Sequence, residues 1–97
     1  MHVAVGMLRI RLPENHSLKG KRQVVHSLTA RLQQHFRVSA SEVDGQGLWQ
    51  VSTIGIAFVS NRAEHARETM DHVVGFVLTN YPDVELLESH VEVIPVP

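Results

Sequence analysis

The chain has 97 residues, 43% of them hydrophobic and 20% charged, with a formal net charge of −1. That length fits one domain spanning residues 1–97, and the balance argues against disorder, low complexity and a chain built to bind polyanions by bulk charge. Cysteine is absent, which removes disulfides, thiolate metal sites and cysteine nucleophiles together, and no apolar run reaches the ~18 residues needed to cross a bilayer.

The N-terminus, Met1-His2-Val3-Ala4-Val5, lacks the basic region and small-residue cleavage site of a signal peptide, so a cytoplasmic location is expected. From His2 to Leu12 the residues alternate. Ala4, Gly6, Leu8, Ile10 and Leu12 fall on one face, and Val3, Val5, Met7, Arg9 and Arg11 on the other, the period-2 signature of a strand. Pro13 to His16 breaks it. Ser17 is a helix N-cap, and Val24, Val25, Leu28 and Leu32 form an apolar stripe that carries the helix to about His35. Phe36 to Asp44 reads as a second strand. Asp44-Gly45-Gln46-Gly47 is a turn in which both glycines permit positive φ. Trp49 to Ser60 is a third strand, with Ile54, Ile56 and Phe58 on one face and Val51, Thr53, Gly55, Ala57 and Val59 on the other. Asn61 followed by Glu64 resembles a capping box that opens a second helix. Ala66, Met70, Val73, Val74 and Val77 form its stripe, and Asn80-Tyr81-Pro82 ends it. A fourth strand runs from Asp83 to Ile94, stopped by Pro95 and Pro97.

The order β-α-β-β-α-β is the split βαβ pattern of an α+β, ferredoxin-like domain. Right-handed crossovers bring strands 1 and 3 together, as a parallel centre in an otherwise antiparallel four-stranded sheet of order 4-1-3-2, with both helices on one face. The other face is then uncovered, yet Val3, Val5, Met7, Val51, Ala57 and Val59 point to it. An apolar patch of this kind marks an interaction surface, and a homodimer is the expectation.

Six of the nine basic residues lie between Arg9 and Arg31: Arg9, Arg11, Lys19, Lys21, Arg22 and Arg31. Three of them crowd the first helical turn after Ser17, where the helix dipole favours anions instead. Free backbone N–H groups with Lys and Arg there make a phosphate site; the plainer alternative is a solvated turn paired with Glu14 or Asp44. Protonating all seven histidines would carry the formal charge from −1 to +6. Their spacing, His65 to His72 and His26 to His35, does not set two ligands side by side on a helix, so neither a metal nor a cofactor is expected. Glu42, Asp44, His16 and Ser17 form no assembled triad, and they read as turn and edge polars. Trp49 could stack on a base if exposed, although half-buried packing at a strand start is the commoner fate.

The segments His16-Ser17-Leu18-Lys19-Gly20-Lys21-Arg22, Phe36-Arg37-Val38-Ser39 and Glu42-Val43-Asp44-Gly45-Gln46-Gly47-Leu48-Trp49-Gln50 resemble, in this order, the YlxP-like family of small bacterial proteins. The resemblance runs along nearly the whole chain. It implies a ferredoxin-like fold and, from genes neighbouring those for translation initiation and ribosome maturation, a role linked to RNA or the ribosome. It carries over no catalytic residue. Gly20, where relatives often have Glu, and Gly47, often Asp, depart from the pattern; the first removes a capping box with Ser17 and a negative charge from the basic turn. The expected function is a non-enzymatic, translation-associated protein that touches RNA through Arg9, Arg11, Ser17, Lys19, Lys21, Arg22 and Arg31. A homodimeric interaction module and an enzyme on a small phosphorylated substrate are the alternatives.

Overall fold

Alternation and stripe phase resolve into six elements in the computed structural model, which describes residues 1–97. They are β1 (His2–Arg11), α1 (Leu18–Phe36), β2 (Ser39–Asp44), β3 (Val51–Ser60), α2 (Ala63–Asn80) and β4 (Glu85–Pro95). The sheet order is β2-β3-β1-β4, the expected 4-1-3-2. This is the α+β, ferredoxin-like arrangement, and no helix is long and apolar enough to cross a membrane.

One expectation about the centre is corrected. β1 and β3 pair antiparallel, with Val5 opposite Ala57 and Ile10 opposite Ser52, and β1 and β4 are antiparallel too. Each crossover does join two parallel strands, but the strand of the other unit lies between them, so no parallel pair is ever adjacent.

The even-numbered face of β1 is buried as the alternation requires: Ala4, Leu8 and Ile10 meet Ile54 and Ile56 of β3, Val25, Leu28 and Leu32 of α1, and Ala66, Met70, Val73 and Val77 of α2 in one core. Both helices share that core, so they lie on the same side of the sheet. Gly6 leaves the space that the Met70 methyl fills against the sheet. β2 carries a bulge at Val43 and β4 one at Leu87, the kind of local irregularity that adds twist at a sheet edge.

Boundaries shift by a few residues for identifiable reasons. Helix α1 runs on through Phe36, because Arg37 takes a left-handed conformation (φ 56°) and donates its N–H to the Gln33 carbonyl. β2 therefore starts at Ser39 rather than Phe36. The Asn61–Glu64 capping box does not form. The N-cap is Arg62, which places Glu64 one residue short of the position a box needs, and the Arg62 N–H donates to the Ser60 hydroxyl instead. Of the two turn glycines, only Gly45 takes positive φ.

Candidate functional site

Where β1 ends, two loops meet: residues 12–17 leading into α1, and residues 45–50 joining β2 to β3. Side chains stitch them together. The Leu12 N–H donates to the Gln50 carbonyl at 2.7 Å, and the Gln50 amide returns bonds to the Pro13 and Asn15 carbonyls at 3.4 and 3.1 Å. The Asn15 amide donates to the Ser17 carbonyl at 2.7 Å and to the Trp49 carbonyl. Ser17 caps α1 as expected, its hydroxyl accepting from the Gly20 N–H at 2.9 Å. Gly20 leaves the space that Asn15 occupies, since a Cβ there would meet the Asn15 side-chain oxygen.

Beneath these loops lies a buried charge. Lys21 is 0% exposed. Its ammonium donates to the Gly45 and Val51 carbonyls at 2.5 and 3.2 Å and pairs with Glu42 Oε2 at 2.9 Å. The same Glu42 oxygen accepts the Ser52 hydroxyl at 2.6 Å. A buried ammonium is tolerated only when paired and hydrogen-bonded in this way. Lys21 is therefore a fastener between α1 and the β2–β3 loop, and its assignment to a phosphate contact is corrected: no ligand in solvent can reach it. It takes neither Glu14 nor Asp44 as partner, the two that a solvated turn would use.

The other cations do not converge on one surface. Arg9 and Arg11 lie on the open sheet face, Arg9 opposite Glu88, and Arg11 in an ion pair with Glu85 at 3.8 Å. Arg31 lies in the helix layer, donating to the Tyr81 hydroxyl at 3.2 Å, its guanidinium carbon 5.1 Å from the Phe76 ring centroid and 5.3 Å from that of Tyr81. Lys19 and Arg22 are exposed and make no ion pair. Six of the seven histidines are exposed; His2 is half-buried, with Nδ1 unpartnered.

Trp49 departs from the half-buried packing expected of it. It is 54% exposed, beside an exposed Leu48, because its carbonyl is held by Asn15 and β3 starts only at Val51. Leu48, Trp49, Gln50 and Val51 line a cavity of about 400 Å³ with His16. Its neighbour of about 340 Å³ is lined by Leu12, Val24 and Tyr81 among others, with the carboxylates of Glu14 and Asp83, a charge that repels anions. The end of the molecule thus offers one exposed indole, one imidazole and two free cations, Lys19 and Arg22, around the start of α1.

Residues 3–91 match the model of a family described as "Protein of unknown function (DUF503)". The chain is 36% identical over 69 residues to the uncharacterized protein YlxP of Bacillus subtilis (strain 168), covering 71% of this chain and 74% of that one. The de novo designed protein Foldit4 shares the fold over all of both chains, with a TM-score of 0.58 at 14% identity.

Proposed function

The chain belongs to the DUF503 family of proteins of unknown function, and on that footing we propose that it is a non-enzymatic, cytoplasmic, translation-associated protein that contacts single-stranded RNA at the β1–α1 end. One observation carries this reading: an indole exposed by more than half projects from a loop whose main chain is held by Asn15 beside the start of the helix that carries Lys19 and Arg22. Stacking on an aromatic ring contributes ~1–3 kcal/mol per base whatever its identity, while cations and helix N–H groups take the flanking phosphates. Such a site binds weakly and with little sequence preference, in keeping with a net charge of −1.

Trp49 is the chain's one tryptophan, so its emission reports directly on the site. Titration with a short single-stranded RNA at low salt should quench it. Replacing Lys19 and Arg22 together by Ala should flatten the slope of log affinity against log salt by about 1.4, two contacts at ~0.7 each. Unquenched emission at high micromolar RNA, or an unchanged slope in the double variant, would refute the reading.

A further inference from the structure

The uncovered face of the sheet is organised by row. Strand pairing places Val59, Val3 and Ile94 side by side, then Ala57, Val5 and Glu92, then Gly55, Met7 and His90. Val43, thrown out by its bulge, folds its side chain over Gly55 and adds to the same surface. The next rows change character: Asp44, Thr53, Arg9 and Glu88, then Val51, Arg11 and Glu85. The end where β1 begins is therefore mainly apolar, with Glu92 and His90 on β4 and Ser39 and Ser41 on β2 at its two margins, and the rows at the end where it stops carry both signs of charge. Val5, Val43, Val59 and Ile94 are exposed at 42, 57, 60 and 40%, four of the nine large hydrophobic residues that the molecule leaves exposed.

We propose that this face is the surface through which two copies of the chain associate, packed face to face. The area of the face fits a second copy. Four strands spaced ~4.8 Å apart, together 37 residues at ~3.4 Å each, present about 600 Å² per copy, so two copies bury about 1,200 Å², the lower bound of a stable interface. The apolar rows alone would bury only about 750 Å² between two copies, short of that bound. The whole face must take part. Arg11 is already paired with Glu85 within one copy, and Arg9 stands opposite Glu88, so the charged end enters the interface with both signs present.

Sedimentation of the unmodified protein should show a dimer at tens of micromolar. Val59→Glu should weaken it at least about tenfold, since a carboxylate would be buried unpaired, whereas Leu78→Glu, at an exposed position on α2, should leave it unchanged. A monomer at 200 µM with intact far-ultraviolet dichroism, or a Val59→Glu protein still fully dimeric, would overturn the proposal.

Discussion

Replacing Lys21 by Met should cost this domain a large share of its stability. The change keeps the stem and deletes the charge. At 2.9 Å the Lys21–Glu42 attraction is about 6 kcal/mol at an effective dielectric of 20, and desolvation takes back several kcal/mol per ion. The intact pair is thus close to neutral in net terms. Removing only the ammonium leaves the Glu42 carboxylate, whose side chain is 18% exposed, with the Ser52 hydroxyl alone, and it strips a donor from the Gly45 and Val51 carbonyls. Breaking one side of a buried pair costs about 3–5 kcal/mol. At ~5 °C per kcal/mol this lowers the melting temperature by about 15–25 °C, out of a total stability of about 5–15 kcal/mol. Urea denaturation measures the loss directly. Lys21→Met with Glu42→Leu should recover much of it, since no unpaired ion remains, while Lys19→Met should stay within about 0.5 kcal/mol of the parent. A Lys21→Met protein as stable as the parent would show that the ammonium does not fasten the loop to the helix.

Trp49→Ala should reduce affinity for single-stranded RNA by ~1–3 kcal/mol, measured by anisotropy of labelled RNA, and leave the urea midpoint almost unchanged because the ring is exposed. An equal loss of folding stability would instead make the indole a packing residue. Gly6→Val should destabilise by about 1–3 kcal/mol, because its side chain would displace the Met70 methyl from the sheet. Pairing it with Met70→Ala should return part of that loss, and strict additivity of the two changes in a denaturation cycle would refute the contact.

The strands were legible because one face of each is apolar and the alternation keeps its phase, and Ser17 was legible as a cap because it stands just ahead of the stripe. Strand direction at the centre is not legible from the crossovers alone, because the hairpin that reverses β3 relative to β2 reverses it relative to β1 as well. Charge alone points Lys21 to the surface, but its phase points inward: Lys21, Val25, Leu28 and Leu32 follow i, i+4, i+7, i+11 and are all buried. Glu42 continues the phase of Val38 and Ala40, and Ser52 that of Ile54 and Ile56. Three polar residues, each prolonging an apolar stripe at the same end of the molecule, are the sequence signature of a buried polar network. The exposure of Trp49 was not legible, since it depends on Asn15 reaching a carbonyl 34 positions away.

The place of β1 at the centre of the sheet sets the timetable on which the chain can fold during synthesis. β1 leaves the ribosome first, but its partners on β3 lie 40 to 58 positions downstream and those on β4 lie 74 to 93 downstream. At ~5–20 residues per second the strand waits on the order of 4–20 s for its last neighbour. Throughout that interval an alternating apolar strand has at least one bare edge, the geometry that recruits strands from other chains. The domain is therefore most vulnerable to misassembly as a nascent chain, before β4 closes the sheet.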